Sequence, residues 1–351
     1  MADSELPLTA IITGGASGIG LALARTLLAQ SPFPSSSSSP SLTPTYNLLL
    51  IDLSPTRLST VAAELGAEYG AGRVRWHAAD VTDYAALGEG FRKARERGEG
   101  EEKWNGRVDV VCAIAGISQV FNTPDGKDPF LASARLPSST STDGDAQPAK
   151  APSYAVIEVN LKGVLNTVHL AIAHFRAQPP DPLTSLRGRL VCAGSSASIY
   201  PFPNESLYGT AKHGVLGMIR SLAPTLLPEG ITINGIAPSI VQTGIGNAEA
   251  LAAIRDAGCM TPMATVTDAV RDVLLSREEA GRKVTGQLLE LCLSHVLLRV
   301  PPVPANAAEL KCLELMWPWA EIEASVGAAG REGGSVRRWV EGKGVKVVRE
   351  A

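Results

Sequence analysis

Short apolar runs of strand length alternate with longer amphipathic stretches of helix length through most of the chain. The strand-like runs are 8–13, 46–52, 74–80, 108–115, 189–195, 231–237 and 287–293. The helix-like stretches are 18–30, 56–69, 84–97, 154–175, 207–227 and 267–277. Several strand runs are apolar nearly throughout rather than at every second position. That is the pattern of a strand covered by helices on both faces. Strand followed by helix, repeated, predicts an α/β fold with a doubly wound parallel sheet.

Three segments break the alternation. Residues 31–45 read SPFPSSSSSPSLTPT, with too little apolar surface to offset the entropy of ordering them. They are expected to form a surface insertion without fixed structure. Residues 119–152, rich in Ser, Thr, Asp, Gly and Pro, form a second insertion; it is either a solvated loop or the rim of a pocket. Residues 93–103 carry mixed charges and read as a solvated helix end. Beyond Leu293 the pattern weakens: 300–304 holds three prolines, 310–322 is a candidate short helix with Trp317 and Trp319, and 327–351 is Gly-rich and basic. The expectation is a single domain over 1–295 and a C-terminal extension over 296–351. The stretch 154–175 is apolar around much of its circumference, so it has two surfaces to bury. The sheet takes one, and a partner subunit or the C-terminal tail takes the other.

Composition narrows the classes. Of 351 residues 45% are hydrophobic and 19% charged, with a net charge of −3. A core of ordinary size is available, and nothing favours nucleic acid or an anionic membrane as a partner. Cys112, Cys192, Cys259, Cys292 and Cys312 form no CxxC pair. They read as small buried hydrophobes in a reducing compartment. The five histidines lack zinc-site spacing. The first residues carry acid and no basic segment, and no apolar run approaches the roughly 20 residues of a membrane helix. The expected location is the cytoplasm.

The first strand runs into Thr13-Gly14-Gly15-Ala16-Ser17-Gly18-Ile19-Gly20 and then a helix. Glycines at this spacing allow a tight turn and a close approach to a diphosphate. The helix start aims free N–H groups and a partial positive charge at it. A dinucleotide is therefore expected on Gly14, Ser17, Gly18, Ile19 and Gly20. Asp52 ends the second strand, where a carboxylate can accept hydrogen bonds from ribose hydroxyls and repel a 2′-phosphate. It favours NAD over NADP; its other open role, with Ser54 and Pro55 following, is to begin a turn. Asp80-Val81 ends the third strand, and Asp80 either meets the adenine or caps a helix.

Tyr208 and Lys212 stand four residues apart in YGTAK, on one face of a helix. A phenol titrates at about 10, and a nearby ammonium favours its phenolate. A tuned phenol can remove a proton from an alcohol while hydride leaves for a nicotinamide. Together with Asn160 in VNLKG, the Ser195 region and Asn234, these motifs resemble the short-chain dehydrogenase/reductase family over about residues 8 to 295. The stretch 208–220, YGTAKHGVLGMIR, is similar to fungal members that resemble NAD-dependent hydroxyprostaglandin dehydrogenases.

The resemblance implies a Rossmann fold and assigns roles. Ser195 would bond the reacting oxygen, with Ser196 in reserve. Tyr208 would be the acid–base, and Lys212 would bind the nicotinamide ribose and lower the tyrosine pKa. Asn160 would hold a water in a proton relay. Ala115-Gly116 would let the cofactor approach, and Thr243 would contact its carboxamide. Two motifs depart from the family: Asn-Asn-Ala-Gly is Ala113-Ile114-Ala115-Gly116 here, and Pro-Gly is Pro238-Ser239. Packing is expected to compensate at the first. The expected activity is NAD-dependent oxidation of a secondary alcohol on a small lipophilic substrate, in fungal secondary metabolism. The alternatives are an NADPH-dependent ketone reductase and a non-redox binding or cyclisation protein on the same fold. The family's habit implies a homodimer or homotetramer. Residues 243–265, moderately apolar, are expected to help choose the substrate.

Overall fold

A computed structural model describes residues 7–29, 45–98, 104–118, 128–134, 151–182, 184–244, 248–271, 275, 284–300 and 345–349. All but the last residue of the insertion 31–45, most of the insertion 119–152 and the tryptophan-bearing segment 310–322 lie outside these residues.

Nine strands form one sheet in the order β3-β2-β1-β4-β5-β6-β7-β8-β9. They are β1 (Leu8–Thr13), β2 (Tyr46–Asp52), β3 (Val74–Ala78), β4 (Val110–Ala113), β5 (Gly188–Ala193), β6 (Ile231–Pro238), β7 (Leu288–Cys292), β8 (His295–Val300) and β9 (Val345–Arg349). All neighbours pair in parallel except β7 with β8. The near-continuous apolar runs have the cause expected of them. In β1, Leu8, Ala10 and Ile12 enter one core while Ile11 enters the other. In β2, Leu48 and Leu50 take the first side, Leu49 and Ile51 the second.

Helices α1 (Gly18–Leu28), α2 (Pro55–Tyr69) and α9 (Met263–Ala269) close the first core, through side chains such as Leu27, Leu65 and Val266. Helices α3 (Tyr84–Ala94), α6 (Gly163–Arg176) and α7 (Ser206–Leu226) close the second, through Phe91, Phe175 and Ile219. Short helices α4 (Pro129–Ser133), α5 (Ala155–Ile157) and α8 (Ala248–Asp256) complete the set among the described residues. α4 lies inside the second insertion, and α9 starts four residues before the expected 267.

α5 and α6 are joined by a π turn, Glu158–Lys162. Together they make the continuous helix Ala155–Arg176, long and apolar enough by composition to cross a membrane. That length goes beyond the expectation that no apolar run approaches such a span. Its packing supplies another reason for the apolarity: Val164, Val168, Ala171 and Phe175 are buried against the sheet.

The domain end expected at residue 295 is where β8 begins. β7 turns through Leu293, at φ +54°, and returns as β8. Arg299 of β8 donates from Nε to Glu290 of β7 at 2.6 Å and from Nη2 to the Tyr200 hydroxyl. The start of the extension is thus built into the sheet, and β9 adds a further strand beside it.

Candidate active site

The strand order reverses between β1 and β4, because the chain runs outward from β1 to β3 on one side and from β4 onward on the other. Loops leaving the strand ends at such a point part and open a crevice. A cavity of about 490 Å³ opens there. At its outer end stand Gly14, Ser17, Gly18, Ile19, Gly20 and Asp52. At its inner end stand Ala115, Gly116, Ser195, Ser196, Tyr208 and Lys212.

The glycine loop is sterically committed. Gly14 has φ +70°, and a Cβ there would sit 2.9 Å from the Ala115 backbone. A Cβ on Gly20 would lie 2.2 Å from the Gly14 carbonyl oxygen. The Thr243 side chain closes over Gly18. Ser17 precedes α1 without capping it through its side chain, so the N–H groups of the first turn face the cleft without that partner. Bare glycine backbone, a helix N-terminus and a bordering carboxylate fit a dinucleotide.

Asp52 fills the turn role and touches the loop as well. Its Oδ1 accepts from Leu53 N–H at 2.8 Å, and its Oδ2 accepts from Ala16 N–H at 3.1 Å. Arg57, one turn into α2, also borders this end of the cleft. The Asp80 carboxylate accepts from Thr82 N–H at 2.8 Å. The cap of α3 is not Asp80 but Asp83, which accepts from Ala85 and Ala86. Val81 lines the cleft and fills the space beside Gly163.

At the inner end, Asn160 is fully buried in the π turn. Its Oδ1 accepts from Ile117 N–H at 2.8 Å, and its Nδ2 donates to the Ile117 carbonyl at 2.7 Å. The side chain expected to hold a relay water is thus committed to the segment that follows β4. Gly116 sits between Asn160 and Lys212: a Cβ there would lie 3.1 Å from Asn160 Oδ1 and 3.8 Å from Lys212 Nζ.

Ser195 opens a tight turn, its Oγ accepting from Ala197 N–H at 3.2 Å while its own N–H donates to Ser198 Oγ at 3.1 Å. Between Ser195 and Ser196, it is Ser195 whose hydroxyl lowers the Tyr208 pKa. Lys212 is buried and donates to the Ala193 carbonyl at 2.8 Å. Its Nζ lies 5.6 Å from the centre of the Tyr208 ring.

Burial dominates the electrostatics of the pair. Burial pushes the Tyr208 phenol above its usual range, the Ser195 hydrogen bond pulls it down, and Glu205 raises it. Burial also lowers the Lys212 ammonium to about 8. Burial is the largest influence on the phenol, and it keeps its proton at neutral pH.

Both departures from the family motifs are accommodated. Thr13 Oγ1 accepts from the N–H groups of Ile114 at 3.1 Å and Ala115 at 3.4 Å. Ile114 packs against the first core. Ser239 does not adopt a positive φ, so no glycine is required there; its N–H donates to Leu291 at 2.8 Å. Asn234 ties β6 to the start of β7, donating to the Val284 carbonyl at 2.8 Å and accepting from Gln287 N–H at 3.1 Å.

A sheet reversed at a glycine loop, with Ser, Tyr and Lys converging on its inner end, defines a nucleotide-dependent oxidoreductase. The chain belongs to the short-chain dehydrogenase family, whose description matches residues 8–252. It is an oxidoreductase of CH–OH groups that uses NAD(P). The chain is 31% identical over 246 residues to short-chain dehydrogenase/reductase prx6 of Penicillium rubens, covering 70% of this chain and 73% of that one. Its fold is similar to a 3-oxoacyl-[acyl-carrier protein] reductase with bound NAD from Brucella melitensis, with a TM-score of 0.59 and 24% identity over 83% of this chain and 93% of that one. It is similar also to ElxO with NADP bound, with a TM-score of 0.57 and 22% identity over 82% and 97%.

Sequence reasoning missed Arg57, Ile117, Val159, Phe202 and Glu205 as cleft residues. One signal was available: Glu205 stands three residues before Tyr208, one helical turn away.

Proposed function

We propose that this chain interconverts a secondary alcohol and its ketone on a small lipophilic substrate, with NAD as preferred cofactor and Tyr208 as acid–base. One observation carries the reading: Ser195, Tyr208 and the buried Lys212 line the same cleft as the glycine loop and Asp52. A bound nicotinamide supplies the hydride acceptor or donor. Ser195 holds the reacting oxygen, and Tyr208 exchanges a proton with it. A phenol kept protonated by burial is ready to give its proton to a carbonyl oxygen. In the opposite direction it first has to lose that proton, which the Ser195 hydrogen bond and the Lys212 charge assist. Asn160 holds Ile117 and Gly116 in place, and the π turn around it, a break in the regular helical ladder, suits a proton route to solvent.

Asp52 supports NAD. Its oxygens have about four lone-pair sites between them, so the backbone bonds leave room for a ribose hydroxyl. Arg57 favours a second reading, an NADPH-dependent ketone reductase, because a guanidinium at that end of the cleft can pair with a 2′-phosphate. Ile117, Val159, Phe202 and Leu251 give the inner end an apolar lining, which supports a lipophilic substrate. Turnover of a panel of secondary alcohols with NAD⁺ and with NADP⁺ tests the reading. It predicts a higher kcat/KM for NAD⁺; turnover with NADP⁺ alone would transfer the assignment to the second.

We also read the outer face of α6 as the seat of a second copy of the chain. Leu165 is exposed there, and only 44% of the most apolar window of this helix is buried. Sedimentation at micromolar concentration should give a dimer or tetramer; a clean monomer would overturn this.

A further inference from the structure

The inner end of the cleft holds one group that the proposed chemistry leaves idle. Glu205 is the residue before α7, one turn ahead of Tyr208, and only 5% of its surface is exposed. A side chain at that position commonly caps the helix by accepting from its first N–H groups. Glu205 does not. The Ser206 N–H is taken instead by Asp128 Oδ2 at 3.0 Å, so a second carboxylate has displaced Glu205 from the capping role. Among the described residues the Glu205 carboxyl has no hydrogen bond or ion pair, and it lines the cleft. A carboxyl so enclosed, with its oxygens opening onto a ligand cavity rather than onto a protein partner, is matched to something the ligand brings.

Its surroundings define that something. Asp128 and Glu205 place two acids on this side of Tyr208, while the cation of the site, Lys212, is committed to the Ala193 carbonyl. Ile117, Val159, Phe202 and Leu251 add apolar surface to the same cleft, beside the hydroxyls of Ser118, Ser195 and Ser196. The Phe202 ring lies 6.5 Å from that of Tyr208, centre to centre. A purely apolar alcohol would bury Glu205 still deeper with no partner.

We infer that Glu205 is a specificity-determining residue that accepts a hydrogen bond from a hydroxyl or ammonium group on the carbon next to the reacting one. The substrate is therefore a vicinal diol or a vicinal amino alcohol (or the matching ketone) on an apolar frame. This rests on the proposed alcohol chemistry at Tyr208 and names its substrate class.

Three probes of matched size test it: cyclohexanol, the vicinal cyclohexanediol and the vicinal aminocyclohexanol. Their binding to the protein is titrated by ligand-observed NMR with NAD present and absent, and their turnover is followed in parallel. The wild-type protein should bind a donor-bearing probe about tenfold more tightly than cyclohexanol, the order expected of one hydrogen bond to a charged group. Glu205→Gln keeps the acceptor and loses the charge, so it should keep the preference for the diol and lose that for the amino alcohol. Glu205→Leu should lose both. No preference in the wild type, or a preference that survives in Glu205→Leu, overturns the inference. Because the comparison is a ratio within one protein, a general loss of stability in a variant does not mimic it. Preferential binding without any turnover would sink the proposed redox chemistry and leave this inference standing; turnover without preference would do the reverse.

Discussion

Gly20→Ala is the substitution with the most calculable consequence for the cleft. The added Cβ would lie 2.2 Å from the Gly14 carbonyl oxygen, 2.8 Å from the Gly14 carbonyl carbon and 3.2 Å from Gly15 Cα. All three neighbours are backbone, so no side chain can swing aside. The loop has to part from α1 by roughly 0.8 Å before the worst contact reaches even 3.0 Å. That movement displaces the N–H groups facing the diphosphate. A misplacement on the order of 1 Å can cost about a hundredfold, or ~2.7 kcal/mol. Gly217→Ala supplies the control: Gly217 is exposed within α7, with nothing within 4 Å of its virtual Cβ. There alanine should stabilise by about 0.8–1 kcal/mol through helix propensity alone. NADH affinity by fluorescence titration, with Tm read on the same samples, checks both. The expected outcome is an NADH Kd about a hundredfold weaker in Gly20→Ala and unchanged in Gly217→Ala. A Kd within threefold of wild type in Gly20→Ala would refute the reasoning.

Three further substitutions probe the frame and the site. Gly188→Ala drives a Cβ to 2.3 Å from the buried Phe175 ring and should destabilise by about 1–3 kcal/mol; Phe175→Leu added to it should recover part of the loss, and denaturant melts decide. Lys212→Met should raise the stability of the cofactor-free protein while abolishing turnover. The sign follows from the lowered pKa: below about 8 the folded protein carries a buried charge that the unfolded chain holds in water. Its cost is roughly 3 kcal/mol from the shift, partly offset by the lost bond to Ala193. The gain should be complete below pH 8 and fade toward pH 10.5, where both states are neutral. A lower Tm at pH 7 would show that the lysine stabilises the fold. Arg299→Ala strands the buried Glu290 and should cost about 3 kcal/mol in a denaturant melt; a change below 0.5 kcal/mol, the scale of an ordinary surface substitution, would show that β8 is not integral to the sheet.

The residues of the glycine loop and of the Tyr208 helix that line the cleft are legible in the sequence because their geometry is local. A strand, a glycine loop and a helix in that order fix backbone geometry within some twenty residues of sequence. Tyr208 and Lys212 lie together on one helix for the same reason. Other features depend on tertiary contacts and left weaker signals. The β7–β8 turn uses Leu293 and Ser294 rather than glycine or asparagine, the residues that usually mark a tight hairpin. The sequence pattern therefore stops at β7, two strands short of the sheet. The π turn around Asn160 leaves no trace in a helical hydrophobic pattern. The direction of the Tyr208 shift is a contest between burial and the nearby ammonium, and only the depth of the cleft decides it. The place of Glu205 depends on Asp128, 78 positions away from Ser206, which holds the N–H that Glu205 would otherwise cap.

The central claim is that the Tyr208 hydroxyl carries the reacting proton. Steady-state turnover of Tyr208→Phe, with NADH affinity measured on the same preparation, tests it most directly. Removing a positioned acid–base should lower kcat by a factor of about 10²–10⁴, while NADH affinity stays within threefold of wild type. Full turnover in that variant would contradict the account.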